Sequence, residues 1–316
     1  MVESLSNPVQ ELAVSGEDPP EKYVYKGEHG AIDASFLVME IPLIDMSLLT
    51  SSSAAGDEEL QKLRSALASC GCFQGINHGL TSSFLDKVHE VAKQFFALPI
   101  EEKQIYSRTV EDIEGYGNDS VLSEHQTLDW TDRLYLTLSL MNELLLKAMA
   151  RSLNIEEHSF FEAVRRERGT MTARFNLYPP CPRPDLILGV KPHADGSAVT
   201  FLLQDREVEG LQIMKDGQWY RVPIVPHALL INVGDQAEIM SNGEFKSPLH
   251  RVVTNSERER ITLAVFCIPE SGIEIGPVEE LISENRPKLY KNMKNFVDIY
   301  FQNYQQGKRP IDAAKI

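Results

Sequence analysis

The 316-residue sequence contains no run of about 18 apolar residues, the length needed to span a bilayer, so no membrane partner is expected. It is also short of positive charge: 31 Lys and Arg against 46 Asp and Glu give a formal net charge of −15. Such a chain repels polyanions. Short basic clusters such as Arg165-Arg166 and Lys308-Arg309 are too small to make a nucleic acid the expected partner. Cysteine is scarce, and Cys70, Cys72, Cys181 and Cys267 fit neither a zinc ribbon nor a disulfide framework. They read as reduced, mostly buried thiols, which suits a reducing compartment. The start, Met1-Val2-Glu3-Ser4-Leu5, lacks the basic and apolar regions of a secretory signal and the arginine-rich character of a transit peptide. A cytoplasmic location is expected.

What remains is an ordinary globular composition, 42% hydrophobic and 24% charged, long enough for one large domain or two. Residues 1–35 carry glycine, proline and many charges without a sustained period, which predicts an extended N-terminal arm. A mainly helical region is expected over 36–165. It opens with a short strand over 39–45. Leu60, Leu63 and Leu67, then Phe84, Val88, Ala92, Phe95 and Phe96, recur at helical spacing and predict amphipathic helices over 58–68 and 82–96. Residues 72–79 read as a strand and a glycine turn between them. Residues 140–153, apolar on most sides, predict a further helix central to its layer.

From Met171 the character changes. Short runs rich in Val, Ile, Leu, Phe and Tyr cover 172–178, 198–203, 211–214, 219–222, 228–233, 250–254 and 261–268. Asp216-Gly217 signals a hairpin, and Gly234-Asp235 and Asn242-Gly243 read as turns. Many short strands without intervening helices predict a jelly roll over 166–316, closed by an amphipathic segment, 291–304, able to cover a sheet edge. The expected class is α+β, a double-stranded β-helix (jelly-roll) core flanked by N-terminal helices and a C-terminal helix.

His193-Ala194-Asp195 follows a strand that ends near Val190. Residues two apart in an extended chain face the same side, so imidazole and carboxylate can converge on one ion. His250 opens a later strand. Two histidines and one carboxylate are the ligand set of a non-haem iron(II) facial triad, which leaves positions on the metal open. Taken alone, His-x-Asp is a short pattern that polar surface also produces. Arg260-Ile261-Thr262, ten residues beyond His250, opens an otherwise apolar strand with Arg260 and Thr262 on one side. A guanidinium fork beside a hydroxyl suits a small carboxylate inside a barrel, where an unpaired arginine would be costly. A rim arginine is the alternative. Asn176 and Tyr178 share a strand face that Pro179-Pro180 ends, and an inward tyrosine finds its partner in a ligand oxygen or in the core. Phe266 and Ile268 beyond the clamp, with Leu203 and Leu211, suggest an apolar pocket for a small, partly hydrophobic molecule.

With these residues in view, the sequence resembles the plant-type 2-oxoglutarate- and iron(II)-dependent dioxygenases, the group that includes flavonol synthase, anthocyanidin synthase and codeine demethylase. The likeness runs over most of the chain, from Glu40-Ile41-Pro42-Leu43-Ile44-Asp45 through Gly75-Ile76-Asn77-His78-Gly79 and Leu128-Asp129-Trp130 to the C-terminal helix. It implies that His193, Asp195 and His250 hold iron(II), that Arg260 and Thr262 clamp the distal carboxylate of 2-oxoglutarate, and that Asn176 and Tyr178 line or bind this cosubstrate. Thr262 stands where the family usually has serine and keeps the hydroxyl. The resemblance further implies a monomer, with ascorbate as reductant, that uses O2 to hydroxylate, O-demethylate or desaturate a small, partly hydrophobic plant metabolite, releasing succinate and CO2.

One departure stands out. Family members usually carry several more helical turns and a Phe-Trp-Pro-like element after the Leu128-Asp129-Trp130 region, whereas here Leu138-Ser139-Leu140 leads directly into the next helix. The shortened helical layer opens one alternative, a catalytically impaired isoform that binds a ligand or partner; the resemblance opens another, an iron(II) oxidase of the same fold that keeps the triad and arginine but does not consume 2-oxoglutarate.

Overall fold

The computed structural model describes residues 4–5, 8–27, 37–109, 114–118, 120–121, 126–138, 143–160, 170–269 and 272–316. His29, His125, the Arg165-Arg166 cluster and the join at 139–142 lie outside them. The strands in chain order are β1 (Ser4–Leu5), β2 (Leu43–Asp45), β3 (Cys72–Ile76), β4 (Gly115–Tyr116), β5 (Ser120–Val121), β6 (Asp132–Leu138) and β7 (Thr170–Tyr178). They continue with β8 (Leu188–His193), β9 (Val199–Leu203), β10 (Leu211–Lys215), β11 (Gln218–Arg221), β12 (Leu229–Val233), β13 (His250–Val253) and β14 (Arg260–Ile268). The larger sheet has the order β2-β3-β12-β9-β14-β7-β6-β4 and the smaller β11-β10-β13-β8. Their inner faces enclose a jelly-roll cavity, and the pairing inside them is antiparallel except between β2 and β3.

The helices preceding the core are α1 (Val9–Ser15), α2 (Ala54–Ser69), α3 (Ser82–Phe96), α4 (Ile100–Gln104) and α5 (Glu143–Ser152). α2 and α3 start where Ser53 and Thr81 accept hydrogen bonds from the Gly56 and Phe84 amides, both at 3.2 Å. Leu60, Leu63 and Leu67 of α2 and Leu145, Leu146 and Met149 of α5 bury themselves with Phe73, Ile231 and Leu203 from one face of the larger sheet. The opposite residues of those strands face the cavity, as the two-residue strand period demands. Among the described residues no helix is long and apolar enough to cross a membrane. The β10–β11 turn places Asp216 at φ 49° and Gly217 at φ 78°, the paired positive values that a tight hairpin requires.

Four expectations need correction. The N-terminal arm is not extended where it is described: α1 docks because the buried carboxylate of Asp132 accepts from the Val9 and Gln10 amides at 2.7 and 2.8 Å. That carboxylate answers the unpaired N–H groups at the helix start. Tyr23 packs edge-on against Trp130 with ring centroids 5.2 Å apart. Second, β4 and β6 join the larger sheet from the region expected to be mainly helical, beside β2 and β3, whose strands were expected there. Third, Gly234-Asp235 is not a simple turn but the start of a buried helix, Asp235–Met240. Fourth, the C-terminal helix, Phe296–Gln305, stands over the mouth of the cavity rather than on a sheet edge.

Gly234 is needed at its position because a Cβ there would lie 2.0 Å from the Ser197 carbonyl oxygen. Gly234→Ala is therefore expected to lower stability by about 1–3 kcal/mol through forced backbone displacement. Thermal unfolding of the purified variant measures this, and an unchanged midpoint would show that the loop yields freely.

Candidate active site

His193 ends β8, His250 opens β13, and the two are direct cross-strand partners. Partners opposite one another share a face, and these imidazole centroids are 4.2 Å apart. Asp195 completes the cluster. Its Oδ1 lies 3.5 Å from His193 Nε2 and 3.6 Å from His250 Nε2, and the three side chains bring possible ligand atoms within 4.8 Å of one another.

Each ring is aimed through its other nitrogen. His193 Nδ1 lies 2.9 Å from the Lys191 carbonyl and His250 Nδ1 3.1 Å from that of Pro248. A carbonyl oxygen only accepts, so Nδ1 carries the proton and Nε2 presents a lone pair. Asp195 Oδ2 accepts from Thr200 Oγ1 at 2.6 Å and Asn232 Nδ2 at 2.8 Å, which fixes the carboxylate plane. Thr200 and Asn232 are themselves cross-strand partners on β9 and β12. Burial pushes the Asp195 carboxyl up, but the neighbouring His250 and His193 and the bond from Asn232 outweigh it and hold it well below the usual carboxylate range. Burial, reinforced by His193, pushes the His250 imidazole down to about 4, so the ring is neutral near pH 7. A neutral ring is the form that ligates a metal.

Behind the cluster a narrow cavity enters the barrel between the sheets. Asn176 and Tyr178 of β7, Arg260 and Thr262 of β14, and Leu211 of β10 line it. Arg260 is 2% exposed; its Nε donates to the Val208 carbonyl at 3.1 Å and its Cζ lies 5.2 Å from the Tyr178 ring centroid. Arg260 Nη1 is buried without a hydrogen-bond partner, and so is Asn176 Oδ1. Leaving a buried guanidinium N–H unpaired is expensive, and an anionic oxygen in this cavity would satisfy it. Thr262 Oγ1 accepts from Asn176 Nδ2 at 3.3 Å, which holds the hydroxyl beside the arginine.

A second, roomier cavity adjoins the cluster on the outer side. Its wall includes Tyr135, Arg174, Phe266 and Ile268, and the C-terminal helix adds Val297, Tyr300, Phe301 and Tyr304. That helix is pinned to the site: Tyr300 Oη donates to the Ala194 carbonyl at 2.9 Å and Tyr304 Oη to Asp129 Oδ2 at 3.0 Å. Asp129 also accepts from Arg133 Nη2 at 2.7 Å and the Lys191 amide at 2.9 Å, so one buried carboxylate ties helix, β6 and β8 together. The Tyr304 ring stands edge-on to His193 at 5.5 Å between centroids.

The structure thus gathers His193, Asp195, His250, Arg260, Thr262, Asn176 and Tyr178 around one space. Phe266 borders both cavities and Ile268 the outer one, whereas Leu211 lies in the inner cavity. Leu203 is a correction: it points away from Thr200 and Leu202 and packs into the core beneath the helices. Arg174, Thr200, Asn232, Asp129, Tyr300 and Tyr304 were not singled out in the sequence. Arg174 shares the strand phase of Asn176 and Tyr178, and Tyr300 and Tyr304 are one helical turn apart, so for these three a signal was present.

Comparison with known proteins gives the same picture. The 2OG-Fe(II) oxygenase superfamily matches residues 168–269, and the N-terminal family of non-haem dioxygenases in morphine synthesis matches 41–152. Protein SRG1 of Arabidopsis thaliana is 36% identical, with 100% of this chain and 97% of the relative aligned. The chain belongs to the 2OG-Fe(II) oxygenase superfamily. This oxygenase is also 37% identical to codeine O-demethylase of Papaver somniferum, over 98% of the chain and 95% of that protein. The crystal structure of JOX2 in complex with 2OG, Fe and JA superposes with a TM-score of 0.86 at 32% identity, covering 99% of this chain and 98% of that one. The SRG1 alignment spans 349 positions against 316 residues, which leaves at least 33 facing gaps inside this chain. A shortened interior was expected from the sequence. The dioxygenase reading is supported and the impaired-isoform alternative is not.

Asn232→Ala is expected to weaken iron(II) binding roughly 10–100-fold, because the bond that orients Asp195 is lost while all three candidate ligands stay. Iron titration of the variant measures this, and unaltered affinity would leave the orientation to Thr200 alone.

Proposed function

We propose that this dioxygenase binds iron(II) through His193, Asp195 and His250 and seats 2-oxoglutarate in the inner cavity, with its distal carboxylate on Arg260 and Thr262 and with Asn176 and Tyr178 along its flank. The observation that carries this reading is the convergence of the three ligand side chains beside a cavity where the buried Arg260 N–H lacks an acceptor. The donor set suits iron(II), and the arginine suits a carboxylate. Once bound, iron and 2-oxoglutarate supply the oxidation of a C–H bond by O2, with release of succinate and CO2. The chain's own part is positional. Asp195 contributes the charge of the metal site, Arg260 and Thr262 orient the cosubstrate, and Tyr300 and Tyr304 close the outer cavity against water.

The substrate is a small, partly hydrophobic plant specialised metabolite held in the outer cavity against Phe266 and Ile268, and the reaction is hydroxylation, O-demethylation or desaturation. Its aromatic wall supports this, as does the resemblance to an enzyme named for codeine demethylation. Arg174, whose Cζ lies 4.9 Å from the Phe266 centroid, adds a cation suited to an electron-rich or acidic group. The protein acts as a cytosolic monomer with ascorbate as reductant, and neither nucleic acid nor membrane takes part. Incubating it with iron(II), ascorbate, 2-oxoglutarate and a panel of plant metabolites is expected to give succinate together with a mass change of +16 or −14 or −2 in one of them, on the order of a single oxidation step. Oxygen uptake and substrate conversion without succinate would overturn the cosubstrate assignment.

A further inference from the structure

Cys70 caps the end of α2 and Cys72 opens β3, with Gly71 between them at φ 70°. The backbone passes from a helical conformation at Cys70 to a left-handed one at Gly71, turning a corner that sets both thiols on the same side. Their Sγ atoms are 3.8 Å apart. Glycine is required at this corner twice over, by its φ and because a Cβ would lie 2.0 Å from the Lys246 carbonyl oxygen. Cys72 is buried, while Cys70 retains access to solvent.

The two thiols differ in chemistry. The hydrogen bond from Cys72 outweighs burial at Cys70, and with further help from the Cys72 and Ser69 groups and Lys215 it brings the Cys70 thiol down to about 6. The same bond and burial push Cys72 up. A partly exposed thiolate beside a second sulfur is the arrangement from which an oxidised cysteine is resolved. Cys181 and Cys267 are buried, and burial raises the Cys181 thiol.

We propose that Cys70 and Cys72 are a covalent modification site at which hydrogen peroxide closes a reversible disulfide. The Cys70 thiolate attacks one peroxide oxygen, the O–O bond breaks, and after proton transfer one water leaves and Cys70 carries a sulfenic acid. Cys72 then attacks that sulfur, the S–O bond breaks, and a second water leaves as the S–S bond forms. Two thiols have lost two electrons and two protons, and one peroxide has become two waters. A dithiol reductant reverses the change.

The site is joined to the metal cluster through β12. The Val233 amide donates to the Gly71 carbonyl at 2.8 Å, and Cys72 is the cross-strand partner of Asn232, whose side chain holds Asp195. Closing the disulfide pulls on the strand that orients the carboxylate; this coupling, unlike the modification itself, rests on the proposed iron site.

The test uses the full chain, freed of iron by a chelator so that metal and peroxide do not react, and treated with dilute hydrogen peroxide. Two of the four thiols should vanish from titration, and the peptide containing residues 70 and 72 should lose about 2 mass units, recovered with dithiothreitol. Cys70→Ala, at the more accessible position, should abolish the loss and leave Cys72 unoxidised. Four surviving thiols, a stable sulfinic acid at Cys70, or a bond mapped to Cys181 or Cys267 would overturn the proposal. After peroxide removal, iron(II) titration should show roughly tenfold weaker binding that reduction restores. A disulfide formed with unchanged iron affinity would overturn the coupling, whereas absence of iron binding in reduced protein would count against the iron site and leave the thiol result standing.

Discussion

Asp195→Ala is expected to abolish measurable turnover, a fall on the order of 10³-fold or more in kcat/KM, equivalent to about 4 kcal/mol of lost transition-state stabilisation. The size follows from charge. In the proposed iron site a histidine ligand is a neutral donor, so Asp195 would be the sole anion of the cluster, and alanine would leave only the two imidazoles for a divalent ion. The variant also leaves Thr200 Oγ1 and Asn232 Nδ2 without their acceptor in a buried setting, at a cost of about 1–3 kcal/mol. Asp195→Asn separates these effects, because it keeps the shape and an acceptor oxygen while removing the charge. Iron titration, succinate release and the thermal midpoint should therefore diverge: both variants lose iron binding and succinate, and the asparagine variant keeps more of its stability. Iron-dependent succinate release by Asp195→Ala at the normal rate would remove Asp195 from the metal site.

The candidate metal cluster was legible because it depends on one rule, that residues two apart on a strand face the same way. That rule places His193 with Asp195, Arg260 with Thr262 and Asn176 with Tyr178, and the structure gathers all six with His250. The same rule misplaced Leu203, because its strand was known but its phase was not. Thr200 is the residue that faces the site, which puts Leu202 inside and Leu203 in the core. β6 was missed although Leu134, Leu136 and Leu138 alternate with Arg133, Tyr135 and Thr137; the charged start Asp132-Arg133 gave no sign that both side chains would be buried, Asp132 against amides more than a hundred residues away and Arg133 against Asp129 just before the strand. The N-terminal arm was illegible for a related reason. α1 has no side-chain cap of its own, and the group that answers its first amides is Asp132, more than a hundred residues away. Likewise the C-terminal helix showed its amphipathic pattern in sequence, but what its aromatic face covers is decided by Asp129 and the Ala194 carbonyl.

The proposed cosubstrate clamp yields the second large effect. Arg260→Met is expected to raise the KM for 2-oxoglutarate roughly a hundredfold, the loss of about 3 kcal/mol for a charge-assisted pair in a buried site. Burial already works against the charged form of Arg260, pulling the guanidinium below its ordinary value, so the fold gains little from that charge without an anion beside it. An unbranched apolar side chain of similar length should then keep or raise the thermal midpoint, since it removes a buried N–H that has no partner. Loss of cosubstrate affinity without loss of stability is the signature of a ligand-binding arginine as opposed to a structural one. Arg260→Lys should fall between, because a point charge replaces a fork that can meet two oxygens. The apolar variant should also reverse the preference among 2-oxo acids. One whose far end is a methyl group instead of a carboxylate avoids burying an unpaired charge, so it should support more succinate-equivalent product in Arg260→Met than 2-oxoglutarate does. If KM for 2-oxoglutarate stayed at the parent value in both variants, the carboxylate would have to sit elsewhere, and the inner cavity would lose its assigned occupant.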